Sequence, residues 1–141
     1  MKVLYTAEAQ STGEGRNGHA RSSDGALDVD IVMPKELGGA GGATNPEQLF
    51  AAGYASCFHS ALRRVAKEQQ ADVTGSAVTA AVGLGMLDNG GFGLTAALTV
   101  DLPNVDRATA EALAARAHEV CPYSNATRGN IDVAITVGEA R

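Results

Sequence analysis

Hydrophobic and polar positions change period several times along the chain, and each change marks an element. Residues 2–9 read as a strand of mixed polarity. Residues 10–25 place Gly13, Gly15, Gly18 and Gly25 among Ser, Thr, Arg and Asn, and read as loop or short irregular strand. Leu27, Val29 and Ile31 then alternate with Asp28 and Asp30, the period of a half-buried strand, which Pro34 closes. A glycine-rich loop over 38–44 leads into a helix. Asn45 before Pro46 suits an N-cap with proline at the first helical position, and Thr44-x-x-Glu47 fits a capping box one residue earlier. From Gln48 to Leu62 no side chain is charged, taking His59 as neutral, and apolar residues cover every face. Such a helix is expected to be buried all round. At about 15 uncharged residues it is too short to span a bilayer. Arg63, Arg64 and Lys67 mark its exit to solvent.

Val73–Leu87 and Phe92–Leu102 read as the arms of a long hairpin with Asp88-Asn89-Gly90-Gly91 as its turn. Asp106 caps a second helix from Arg107 to Val120, which Pro122 stops. Ile131, Val133, Ile135 and Val137 alternate with polar or small residues in a last strand. The order β-β-α-β-β-α-β predicts an α+β fold with mostly antiparallel sheet. It is expected to form one domain over residues 1–141.

Composition sharpens this picture in two places. The chain holds 17 glycines, 4% aromatics and no Trp, so Ala, Val and Leu must build the core by close backbone packing. Such a chain is expected to complete its core with a second copy. Eleven Lys and Arg against 16 Asp and Glu give a net charge of −5, which argues against nucleic acid or an anionic membrane as partner. No apolar leader and no long apolar run is visible, so the expected compartment is the cytoplasm.

Few residues can carry chemistry. The glycine loop lacks the Gly-Lys-Ser/Thr of a phosphate loop and the third glycine of a dinucleotide site. His19, His59 and His118 show no metal-ligand spacing, so no metal is expected. His59 is two residues after Cys57 and points about 200° away, a poor base for that thiol. Cys57 and Cys121 remain. In a reducing compartment they are either inert buried thiols or a redox pair. Cys57 lies too deep in its helix for the helix N-terminus to activate it. A reactive Cys57 therefore needs a cation from elsewhere. Arg16, in Gly15-Arg16-Asn17-Gly18, can approach another element closely because of its glycines, although taken alone it reads as a solvated loop residue.

Three stretches resemble the organic hydroperoxide resistance proteins of the OsmC/Ohr family. They are the opening LYTAEA…GEGRNGHARSSDGALDVDIVMPKELGGAGG, TNPEQLFAAGYASC over 44–57, and VCPYSNATRGN over 120–130. The resemblance covers nearly the whole chain, with no departure at the motif positions. It implies an intertwined α+β homodimer with a long buried central helix. It implies thiol-dependent reduction of alkyl or lipid hydroperoxides to alcohols, with no bound cofactor and a dihydrolipoyl group or lipoylated protein as external reductant. Cys57 matches the peroxidatic cysteine and Cys121 the resolving one. Arg16 matches the arginine that stabilises the thiolate, and Glu47 the carboxylate that holds it. Phe50, Tyr54 and Phe58 would offer an apolar substrate lining, with plain core packing as the equal alternative. A non-catalytic redox-sensing or small-molecule-binding module is the competing function, and a sensor has no need of the Arg16–Glu47 clamp.

Helical geometry adds one expectation. Glu47 and Cys57 are ten positions apart on one helix, about 15 Å along its axis and about 80° around it. One Arg16 would have to stretch between distant turns to touch both. Two such helices packed antiparallel across a two-fold would bring Glu47 of one near Cys57 of the other. Each site is then shared, with the cysteines from one chain and Glu47 and Arg16 from its partner.

Overall fold

The computed structural model describes residues 1–138. The chain groups into two compact units, Met1–Leu49 and the residues from Phe50 onward. In the first, strands β1 (Ala9–Gly13), β2 (Gly18–Ser22) and β3 (Asp28–Ile31) form an antiparallel sheet in that order. Two outcomes differ from the sequence pattern. The strand expected at 2–9 begins only at Ala9, and Val3, Leu4 and Tyr5 before it are exposed. The stretch read as loop or irregular strand holds two paired strands. Their register, Ala9 opposite Ser22 through Gly13 opposite Gly18, is set by a tight turn at Glu14–Asn17. Every residue of β1 is exposed, so no apolar alternation announces it.

Helix α1 (Pro46–Glu68) starts as the sequence predicts: the Gln48 N–H donates to the Asn45 side-chain oxygen at 2.9 Å. Asn45 is thus the cap, and Thr44 Oγ1 donates to the Gln48 side chain at 2.8 Å instead of forming a capping box with Glu47. The helix ends in a Schellman arrangement. Gln70 is left-handed at φ 55°, its N–H reaches the Lys67 carbonyl at 3.2 Å, and the Ala71 N–H reaches Ala66 at 2.9 Å.

In the second unit, β4 (Ala77–Met86) and β5 (Phe92–Asp101) form the expected hairpin, and β6 (Val133–Val137) pairs with β5 in parallel. The sheet is therefore mixed. Ala96, Leu98 and Val100 of β5 point into the core while Thr95, Ala97 and Thr99 are exposed. Helix α2 (Arg107–Val120) is capped by Asp106, whose side chain accepts from the Thr109 N–H. Pro122 stops α2 but also opens a further short helix, α3 (Pro122–Thr127), which the sequence pattern does not show. From Phe50 onward the core joins Tyr54, Phe58, Leu62 and Val65 of α1 to the β5 residues and to Ala110, Leu113, Ala114 and Ala117 of α2. The small alanine side chains allow α2 a close approach.

Within one chain α1 is not buried all round. Tyr54, Phe58, Ala61, Leu62, Val65 and Ala66 are buried, while Ala52, Ser56 and Ser60 are exposed. The uncharged stretch therefore holds one core face and one open face of small side chains. Asn45→Ala, which removes the α1 cap, is expected to lower stability by about 1 kcal/mol. Urea unfolding measures it, and an unchanged midpoint would contradict the capping role.

Candidate active site

Arg16 and Glu47 meet within the first unit. Arg16 occupies the turn between β1 and β2. That turn is closed by the Glu14 N–H on the Asn17 carbonyl at 3.2 Å, and Gly13 and Gly15 adopt φ of 76° and 69°. A side chain at Gly18 would strike the Thr12 carbonyl, its Cβ falling 2.1 Å from that oxygen, so the turn is tight by necessity. Glu47 stands in the first turn of α1, where a carboxylate also complements the helix dipole. Arg16 donates to both Glu47 oxygens, Nη1 to Oε2 at 2.9 Å and Nη2 to Oε1 at 2.6 Å. This two-pronged geometry is the strong form of an ion pair. The hydrogen bonds from Arg16 hold the Glu47 carboxyl below its usual range, against the opposing effect of burial. Glu47 in turn keeps the guanidinium charged, mainly through the same hydrogen bonds. With five N–H groups, the guanidinium keeps donors free for another acceptor after holding a carboxylate.

Cys57 and Cys121 meet within the second unit. Cys57 lies mid-way along α1 and is partly buried, whereas Cys121 has no exposed surface. Both are free thiols, with Sγ atoms 3.7 Å apart. A disulfide needs about 2.05 Å, so a small side-chain movement joins them. Burial pushes the Cys57 thiol above its ordinary value, and the neighbouring Cys121 adds to the rise, while a hydrogen bond from the Tyr123 backbone N–H opposes it. Among the described residues of this unit, no cation contributes to lowering the Cys57 pKa. Cys121 is the N-cap of α3, its sulfur accepting from the Ser124 N–H at 3.5 Å. The first turn of α3 therefore directs one backbone donor at each sulfur.

A buried hydroxyl cluster fixes this turn. The Ser124 Oγ is 2.9 Å from the Tyr54 hydroxyl and 2.8 Å from His118 Nδ1. The Tyr54 hydroxyl also meets Thr127 Oγ1 at 3.1 Å, and Thr127 Oγ1 donates to the Ser124 carbonyl at 3.2 Å. Burial, with the nearby Arg128 charge, lowers the His118 pKa and favours the neutral ring. One serine thereby ties α1, α2 and α3 together around the two thiols. Sequence reasoning missed this cluster. Its only signal is Ser124 and Thr127, spaced three apart just after Cys121.

The aromatic residues divide. Tyr54 and Phe58 are fully buried and belong to the core, so the packing alternative describes them. Phe50 is partly open and meets Tyr54 and Tyr123 edge-on, with ring centroids 6.2 Å apart in both pairs. Tyr123 lies across Gly53, where a Cβ would fall 2.9 Å from its hydroxyl. His59 pairs with Ser76 at 2.9 Å, and His19 sits between Asp28 and Asp30 on the exposed β2–β3 surface. Among the described residues, no three His, Cys, Asp or Glu gather where they could hold a metal ion. Nor is any described helix long and apolar enough to cross a membrane.

Comparison with known proteins decides the family. Residues 39–136 match the family model described as OsmC-like protein. The chain is 54% identical over 138 residues to the organic hydroperoxide resistance protein of Xanthomonas axonopodis pv. citri, covering 96% of each chain. The chain belongs to the OsmC/Ohr family. A further relative is the organic hydroperoxide resistance protein OhrB of Bacillus subtilis, 50% identical over 133 residues, with 93% of this chain and 96% of that protein covered. The solved structure of an organic hydroperoxide resistance protein from Legionella pneumophila matches with a TM-score of 0.93 and 53% identity, covering 98% of this chain and all of that one. The α+β architecture described above is thus the OsmC/Ohr fold.

Ser124→Ala leaves Tyr54 with only Thr127, and His118 Nδ1 without its hydroxyl partner. It is expected to cost about 1–3 kcal/mol, the scale for orphaning buried polar groups. Chemical denaturation tests this, and a loss below about 0.5 kcal/mol, the range of an ordinary surface substitution, would remove the cluster from the stability of the unit.

Proposed function

We propose that the chain is a thiol peroxidase that reduces organic hydroperoxides. The observation that carries the reading is the pair of free sulfurs 3.7 Å apart, one partly open and one sealed. The names of the relatives, organic hydroperoxide resistance proteins, agree with it. The Cys57 thiolate attacks the outer peroxide oxygen, the O–O bond breaks, and the alkoxide takes a proton to leave as the alcohol. Cys57 is left as a sulfenic acid. The Cys121 thiolate attacks that sulfur, hydroxide leaves and is protonated to water, and the disulfide forms. An external dithiol of the dihydrolipoyl type restores both thiols by exchange in a reducing compartment. No bound cofactor is required.

Arg16 supplies the charge that Cys57 lacks, and Glu47 orients it. The guanidinium favours the thiolate and donates to the peroxide as charge builds on the leaving oxygen. The clamp favours catalysis over redox sensing, because a sensor does not need to orient a peroxide. Phe50 offers an apolar wall suited to an alkyl chain.

The working form is a homodimer with shared sites, Cys57 and Cys121 from one chain and Arg16 and Glu47 from its partner. Exposed apolar side chains support a covering copy: Val3, Leu4 and Tyr5 in the first unit, Met86 and Phe92 at the hairpin tip of the second.

Cys57→Ser is expected to abolish turnover of cumene hydroperoxide with dihydrolipoamide, while Cys121→Ser, assayed without reductant, still consumes one equivalent. Sustained turnover by Cys57→Ser would end the assignment. Arg16→Ala should slow peroxide reduction by about 10² or more. It should also move the pH profile of Cys57 alkylation upward, and an unmoved profile would show that Arg16 does not act on Cys57. Mixing the inactive Cys57→Ser chain with the slowed Arg16→Ala chain under exchange conditions is expected to raise activity well above that of Arg16→Ala alone, because one site of the mixed dimer is whole. With sites built from a single chain, the mixture would show no gain over Arg16→Ala.

A further inference from the structure

The two sulfurs are close to each other but unequal toward anything outside, and this asymmetry bears on how the oxidised protein is reduced. Thiol–disulfide exchange proceeds by in-line attack, with the incoming sulfur approaching opposite the bond that breaks, so access to each sulfur governs which one is attacked. Cys57 is partly open on α1. Cys121 has no exposed surface and belongs to the core cluster with Ala114 and Ala117 of α2 and Leu98 of β5. An attack on Cys121 must come from the side away from Cys57. With no surface open at Cys121, that approach requires the surrounding packing to part.

We infer that the reducing thiol joins Cys57, and that Cys121 is the sulfur released. This rests on the peroxidase reading only for the source of the disulfide. In the step, the reductant thiolate forms a bond to Cys57 Sγ as the Cys57–Cys121 bond breaks. The electron pair of that bond passes to Cys121 Sγ, which becomes a thiolate in the place where the Ser124 N–H donates to it, and then takes a proton from solvent. The second thiolate of the dithiol attacks its own first sulfur, expels Cys57 as a thiolate and closes the oxidised reductant. Two electrons pass to the protein, and both cysteines return to free thiols. The sulfur that meets the peroxide therefore also meets the reductant, and Cys121 never contacts either. Its backbone donor serves a leaving group, and a better-stabilised leaving thiolate departs faster.

The disulfide can be made with diamide, without any peroxide, so the regiochemistry is tested apart from the peroxidase reading. Failure of that reading would appear as no disulfide after alkyl hydroperoxide. Diamide-oxidised protein is mixed with 2-mercaptoethanol, quenched in acid, blocked with N-ethylmaleimide in denaturant and digested with trypsin. The cysteines fall in separate peptides, 36–63 and 117–128. The mercaptoethanol adduct is expected on Cys57 and the maleimide on Cys121. An adduct on Cys121, or equal amounts on both, overturns the inference. Should the adduct be too short-lived to trap, single-cysteine variants decide. With 5,5′-dithiobis(2-nitrobenzoate), Cys121→Ser, which keeps Cys57, should react about 10² times faster than Cys57→Ser, with the two rates converging in guanidinium, because only Cys121 needs local opening. Comparable rates in the folded variants overturn the inference.

Discussion

The Ser124 hydroxyl sits where three helices must agree. Tyr54 reaches it from α1, His118 from α2, and Ser124 itself is in α3, with Thr127 closing the cluster. In a core built mostly of Ala, Val and Leu, apolar contacts are non-directional and leave helices free to slide. A saturated group of hydroxyls does not, because each partner has a fixed direction and an unmade bond in the interior is costly. Among the described residues no buried side-chain nitrogen or oxygen lacks a partner. The register between α1 and α3 follows from this cluster, and the spacing of the two sulfurs follows from that register.

Charge is handled separately from this core. The Arg16–Glu47 pair is built in the first unit from a tight hairpin turn and a helix start, two features whose backbone positions leave little freedom. The thiols are built in the second unit from helices packed on a sheet. Burial alone raises the thiol pKa, and a guanidinium kept in the same dry surroundings would itself be costly.

Elements with a strong period or a recognisable cap were legible in the residues. The Leu27–Ile31 alternation, the Asn45-Pro46 start, the Asp106 cap and the glycine turn of the long hairpin all correspond to observed elements. The first hairpin was not legible, because β1 and β2 carry polar and small residues and β1 buries none of them. Helix α3 was hidden because proline reads equally as the end of one helix and the start of another, and cysteine is not a usual cap. Of the candidate site, both pairs were named through the family resemblance. Their distances were not, since no spacing in the chain encodes that Cys57 and Cys121 become neighbours. The hydroxyl cluster was beyond reach for the same reason: Tyr54 lies far from Ser124 in sequence, and only the packed helices bring them together.

Gly53 illustrates how such packing limits what can be changed. A glycine inside a helix costs about 1 kcal/mol relative to alanine, so a designer seeking heat resistance would choose this position early. Here the Tyr123 ring lies across the bare helix backbone and leans on Phe50 and Tyr54. An added methyl displaces that ring and forfeits aromatic contacts of about 0.5–1.5 kcal/mol each. It also disturbs the residue whose backbone N–H is directed at Cys57. The substitution that helix statistics recommend therefore presses on the very residue that carries the donor for Cys57, and the helix cost of this glycine is the cost of seating Tyr123.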